Sequence, residues 1–408
     1  MSPLRPDAWS RIFLPFALGY YLSYLLRTVN AVISPDLTRD LALSAADLGL
    51  LTSAYFLTFG MAQVPLGIAL DRYGPRRVEG GLLLLTALGA TSFALGDSLG
   101  GLGVARGLIG LGVSACLMAG LKGFAMWYPP ERQSSMTGFL MAAGALGALT
   151  ASAPLEAMLP WLGWRGVFWI IAVAAVGIAA FLFLSLPHDA PHASRDTIPE
   201  AFRSVGRIFR SPAFLRFAAS ATFFTGGFMA LQSLWAVPWL MNVNGLSRGA
   251  AAGYLLVLNL GMLGGQLGIG FLGTRLARRG VKPLNMMQVG YSGMLLVQAS
   301  ILLNWAPPGL AWFLLGVLSA VNSQAYLATA AHFPQAVFGR VSTAINLMAF
   351  VGAFGVQWGL GVLLDVLRGA GWSPPGALGA AFAALIALQA ASLVPLLSAA
   401  RRPLQRAA

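Results

Sequence analysis

GIALDRYGPRR, residues 67–77, lies between two long apolar runs, and GFLGTRLARRG, residues 270–280, lies between another two. The two stretches pair Gly67 with Gly270, Arg72 with Arg275 and Arg76 with Arg279, each 203 residues apart. The same offset joins Leu43–Ser44 to Leu246–Ser247, Gln63 to Gln266 and Pro35 to Pro238. Further on the offset becomes 208: Arg132 and Ser134 match Arg340 and Ser342, Gly144 and Gly147 match Gly352 and Gly355, and Gly163–Trp164 matches Gly371–Trp372. A parallel repeat of this size marks a chain built from two similar bundles, the arrangement of a rocking carrier with its site between the halves.

The chain is 57% hydrophobic and only 10% charged, against about 25% charged in a soluble protein. Apolar runs recur from Ile12 to Leu397, and about 20 such residues cross the roughly 30 Å of hydrocarbon. The fold class expected is all-α integral membrane. Twelve transmembrane helices are expected at 11–33, 46–70, 78–97, 101–126, 134–157, 166–186, 213–240, 249–274, 282–304, 309–332, 340–365 and 376–399. The domains are then 1–186, a six-helix bundle; 187–212, a linker; and 213–408, a second six-helix bundle. The polar start, Met1 to Arg11, followed by a full-length apolar run, argues against a cleavable signal.

Net charge is +13. With both termini cytoplasmic, Lys and Arg fall 19 inside and 4 outside (Arg39, Arg165, Arg248 and Arg368), with Arg27, Arg106 and Lys122 inside helices. That asymmetry is a membrane-orientation signal and not a nucleic-acid patch. Arginine-rich, lysine-poor usage points to a GC-rich bacterium and so to the inner membrane. Cys116 is the single cysteine, so disulfides and CxxC metal sites are excluded. In the linker, AFRSVGRIFR (201–210) places Phe202, Val205, Ile208 and Phe209 at helical spacing; an interfacial amphipathic helix and a plain basic tether are both open readings.

GIALDRYGPRR resembles the loop between helices 2 and 3 of the major facilitator superfamily, and the resemblance covers the whole chain. It implies a gating role for Gly67, Asp71, Arg72, Gly74 and Arg76, with Arg132, Arg275 and Arg340 at related positions. Gly67 is expected to permit close helix packing. The second copy has Thr274 where Asp71 stands. Arg106 with Gly110 resembles the family's helix-4 arginine motif, and GWRGVFW (163–169) the start of its helix 6. The Gly-Pro pair of drug–proton antiporters is absent from GFLMAAGALGALTASAP (138–154). YLLRTVNAVISPDL (24–37) is similar to the organic-anion branches, the anion:cation symporters and organophosphate exchangers. This implies substrate contacts at Tyr24, Arg27, Asn30 and Arg106.

Arg27 carries the functional reading. An intramembrane charge is costly and defaults to a functional hypothesis. Tyr20, Tyr24, Arg27 and Ala31 share a helix face, and a guanidinium binds carboxylate or phosphate through two parallel bonds. The repeat puts Ala230 opposite Arg27, so a symmetric two-arginine phosphate clamp is not expected and carboxylates are favoured. Arg106 is open between anion contact and hydrogen-bond hub, and Lys122 between snorkelling and a stepping stone. Neutral groups complete the set: Gln63, Gln232, Trp235, Asn259, Asn322, Tyr326 and Asn346. The reading is a secondary transporter of a small organic anion, working by rocker-switch alternating access as a monomer in the lipid bilayer. No cofactor or metal is expected.

Coupling is to H+, Na+ or a counter-substrate. Val113 stands where the symporter branch has a glutamate, Glu79 is placed at an inner helix end, and His332 is the coupling candidate. Without an intramembrane carboxylate, exchange is favoured. The rival readings are a larger acidic cargo such as a siderophore–metal chelate, an exporter of amphipathic compounds, and a membrane receptor on the same fold. An enzyme is excluded: GDSLG (96–100) lacks the strand of a nucleophile elbow, and GIGFLG (268–273) lies inside a helix.

Overall fold

The computed structural model describes residues 9–187, 203, 206–333 and 338–399. The side chains of Asp71, Arg132 and Arg275, and most of the 187–212 linker, lie outside the described residues. The structure is helical throughout. The first six helices are α1 Ser10–Leu41, α2 Ala45–Leu70, α3 Arg72–Leu95, α4 Leu99–Trp127, α5 Pro130–Thr150 and α6 Ala153–Ser185. The next six are α7 Pro212–Asn242, α8 Arg248–Arg278, α9 Pro283–Leu302, α10 Pro308–Ala330, α11 Arg340–Gly369 and α12 Pro374–Ala399.

Ten of these are long and apolar enough to cross a membrane, among the described residues. Of the other two, α5 contributes the apolar stretch Met136–Thr150 over its described residues, and α9 carries Asn285, Gln288 and Gln298.

The largest differences from the expected boundaries are in α1 and α6. Helix α1 does not stop at residue 33 but runs through Pro35 to Leu41. Proline removes the N–H that would bond the carbonyl four residues back. That carbonyl belongs to Ala31, and the Ser34 hydroxyl donates to it instead, at 3.1 Å. Helix α6 begins at Ala153, well before residue 166, and bends at Gly163, where φ is +61°. Its repeat mate Gly371, φ +86°, makes the turn before α12. Only glycine adopts such angles without strain.

Contacts group the chain into two compact units: Met1–Ala42 with Ala54–Ala201, and Leu43–Ser53 with Phe202–Ala408. In the first, α1 packs on α5 and α6. Gly147 brings α5 onto the Tyr21 carbonyl, and on α4 Gly110 lies against the Tyr55 backbone. In the second, α7 packs on α11 and α8 on α10. Gly352 meets the Thr222 carbonyl and Gly316 the Leu258 carbonyl. The repeat thus reuses one device, a glycine that lets two helix backbones touch. The second unit also holds the head of α2: the Asp365 carboxylate accepts from the N–H groups of Ala45 (3.1 Å) and Ala46 (2.7 Å). It caps that helix start and offsets its dipole.

Candidate functional site

The site in the first unit is built around Arg27, about midway along α1. The residue is only 6% exposed. The carbon at its centre lies 4.5 Å from the Tyr24 ring centroid and 5.5 Å from that of Phe59 on α2. Tyr55, one turn before Phe59, has its hydroxyl within hydrogen-bonding reach of Arg27 and donates to the Ser23 carbonyl at 3.2 Å. Tyr20 stands edge-on to Tyr24 at 5.1 Å and reaches the Met141 sulfur of α5 at 3.7 Å. The absence of a side chain at Gly144 makes room for both tyrosine rings. Cation–π contact with several rings stabilises a desolvated guanidinium while leaving its N–H edge available for an oxyanion.

Arg106 is fully buried, with its guanidinium 5.2 Å from the Tyr55 ring. It donates to the Leu26 carbonyl at 3.2 Å. Of the two sequence readings, hydrogen-bond hub and anion contact, its geometry is that of a hub joining α4 to α1. Asn30 is buried further along α1. Gln63 is buried and donates to the Phe59 carbonyl (3.2 Å) and the Ser114 carbonyl (3.4 Å), tying α2 to α4. Lys122 is half-buried on α4.

Tyr55 and Phe59 escaped the sequence reading. They belong to the face of α2 turned toward α1, and spacing along one helix does not reveal what a neighbouring helix presents. Glu79 lies near the start of α3, where the sequence reading put it, five residues past the bend at Gly74 (φ +79°). Its side chain is fully buried, and Gly19 on α1 leaves space for its carboxyl.

The second unit has its own polar set. Gln232 donates to Asn259 at 2.7 Å and approaches the Met262 sulfur at 3.4 Å. Ser233 and Trp235 bond Gln357, at 2.8 Å to its side-chain oxygen and 3.2 Å to its carbonyl. These bonds join α7 to α8 and α11. Tyr326 donates to Asn346 at 2.8 Å, and both are half-buried. The buried side-chain oxygen of Asn322 has no hydrogen-bond partner among the described residues. Asn322 sits in a short 3₁₀ stretch, Ala320–Ser323, and Gln232 and Trp235 in a π-helical turn, Leu231–Trp235; such irregular turns recur at functional sites. His332 bonds the Ala328 carbonyl of its own helix at 3.0 Å and lies 5.3 Å from the Phe217 ring.

Of the gating positions, Gly74 (φ +79°) supplies the bend near the start of α3. Arg76 donates to the Phe183 carbonyl of α6. Arg72 is exposed beside Tyr73, and Arg340 is half-buried. Nothing lies within 4 Å of a Cβ built on Gly67, so the expected close packing there is not found in this conformation.

Residues 16–357 match the sequence profile of the Major Facilitator Superfamily. The chain belongs to the Major Facilitator Superfamily. Among curated members it is 28% identical over 194 residues to the probable L-galactonate transporter of Escherichia coli K12, covering 46% of this chain and 41% of that one. It is 30% identical over 151 residues to the galacturonate transporter of Dickeya chrysanthemi, covering 37% and 44%. The match thus spans less than half the length of either relative. A solved inward-facing, occupied bacterial homologue of the human lysosomal transporter Spinster superposes with a TM-score of 0.76 over 97% of this chain and 98% of that one. Identity there is 18%, so that likeness concerns the fold alone. The relatives it matches are named as transporters, and ten of its helices are long and apolar enough to cross a membrane, among the described residues.

Proposed function

We propose that this chain carries a small sugar acid, of the hexuronate or aldonate class, across the inner membrane by alternating access, with Arg27 receiving the carboxylate. The observation that carries the reading is the Arg27 guanidinium, set midway along α1 by the neutral groups Tyr24, Phe59 and Tyr55. Its charge is fixed and its planar N–H edge matches a carboxylate. The relatives named for galactonate and galacturonate support the substrate class. Tyr24, Tyr20 and Asn30 line the acid's end. Within the second unit, the half-buried Tyr326–Asn346 pair and Asn322 carry hydroxyl and amide groups that suit a polyol. Arg106 acts through Tyr55 and positions Arg27. Gln232, Trp235, Asn259 and Gln63 are bonded between helices and hold the frame.

The test is thermal stabilisation of purified protein by galacturonate, galactonate, neutral galactose and organophosphates. A ligand that binds the native state raises Tm with concentration. The sugar acids are expected to stabilise wild type, and neutral galactose to do nothing. Arg27→Ala abolishes the shift, and Arg27→Lys keeps the charge but weakens binding at least tenfold. Equal stabilisation of wild type and Arg27→Ala, or none by any carboxylate, overturns the proposal.

A further inference from the structure

Glu79 lies on α3 inside the first unit and is fully buried. A Cβ on Gly19 of α1 would overlap its carboxyl oxygen, so α1 presents bare backbone there. From α4 the Cys116 thiol is within hydrogen-bonding reach. Apart from that thiol, neither carboxyl oxygen meets a hydrogen-bond partner among the described residues.

The charged groups around it are placed elsewhere. Arg76, one turn earlier on α3, is bonded to the Phe183 carbonyl of α6. Phe183 also covers Gly80, the next residue, with its ring. On α1, Arg11 and Arg27 are each eight residues from Gly19, about 12 Å along the axis. On α4, Lys122 is six residues from Cys116, about 9 Å, and Arg106 ten residues, about 15 Å. A bare carboxylate in apolar surroundings is expensive, and one without a cation or several donors is carried more cheaply as the neutral acid. Intramembrane carboxyls of this kind mark proton paths.

We infer that Glu79 is the proton-binding site that couples transport to a proton gradient. An O–H bond forms on its carboxyl with a proton from water at one membrane face, and breaks to water at the other when the packing of α1 and α4 over it opens. The neutral acid is the form that fits the packing described here. The inference rests on the transport reading for its role, but proton binding itself is measurable without substrate.

The experiment has two arms on full-length protein. In the first, Tm is followed against pH in detergent without ligand. Linkage makes wild type lose stability relative to Glu79→Gln as pH rises, because the buried acid must give up its proton while the amide does not change. Parallel pH profiles overturn the proposal. Infrared spectra of wild type supply the same information if Glu79→Gln does not fold. A protonated-carboxyl C=O band at neutral pH, shifted in D2O, is expected, and its absence overturns the proposal.

In the second arm, proteoliposomes receive galacturonate by counterflow and by a pH gradient. Glu79→Gln keeps counterflow within about twofold and loses at least tenfold of gradient-driven accumulation; Glu79→Asp recovers part of it. Equal accumulation by Glu79→Gln and wild type overturns the coupling role. If the pH profiles diverge as expected but no sugar acid exchanges in wild type, the substrate proposal falls and proton binding at Glu79 stands.

Discussion

At the residue scale, Tyr55 decides how Arg27 is held. Its ring lies against Arg106, while its hydroxyl is within hydrogen-bonding reach of Arg27 and donates to the Ser23 carbonyl. Tyr55→Phe keeps the ring and removes the hydroxyl. A buried hydrogen bond of this type contributes about 1 kcal/mol, so sugar-acid affinity by calorimetry should fall several-fold while Tm changes little. An affinity equal to wild type would show that Tyr55 does not position Arg27. Arg27 itself is legible in the sequence, because a guanidinium in an apolar run is anomalous on its face. Tyr55 is not, because a tyrosine in a helix is ordinary until its neighbours are known. The burial of Glu79 is hidden from the sequence for a related reason. Its burial depends on a glycine sixty residues earlier, and the absence of a side chain leaves no mark in the hydropathy of the helix it faces.

At the scale of the element, helix packing is governed by where backbones are allowed to touch. Gly352 of α11 lies directly against the Thr222 carbonyl of α7. Gly352→Ala would force the two helices apart, and overpacking of this kind costs about 1–3 kcal/mol. Gly67 has open space around the position of its missing Cβ. Gly67→Ala should therefore add about 0.5–1 kcal/mol of helix stability. Thermal melts of the two variants are expected to move in opposite directions from wild type; a shift of the same sign in both would show that glycine contacts do not set the packing. The 208-residue offset makes the glycines of α5 and α11 visible as pairs in the amino-acid sequence alone. It does not reveal which of them is pressed against a neighbour: Gly352 is, whereas its near neighbour Gly355 has nothing within 4 Å. Helix ends are less legible, because the continuation of α1 through Pro35 depends on the Ser34 hydroxyl capturing the carbonyl that proline orphans.

At the scale of the whole molecule, the repeat, the hydropathy and the charge asymmetry are all readable because each sums over many residues and tolerates local error. The outer arginines expected from sequence acquire a structural reason. Arg39 bonds Asp36 and Asp40, each at 3.1 Å. Arg165 bonds Asp97 at 2.7 Å and lies 4.1 Å from the Trp164 ring, and Trp164 in turn donates to Asp40 at 3.0 Å. These cations work as clamps on helix ends and carry little weight as orientation signals beside the 19 basic residues assigned to the other side. Orientation by positive charge depends on short, basic loops near helix ends, so both termini are predicted to face the cytoplasm. A fluorescent protein fused after Ala408 should be bright, and alkaline phosphatase fused there inactive. Phosphatase fused in the turn after Leu303 should be active, since an odd number of spans separates that turn from either terminus. Activity at the C-terminal fusion with none at the turn would invert the molecule, and the arginines that clamp α1, α6 and the turn between α3 and α4 would then lie at the cytoplasmic face.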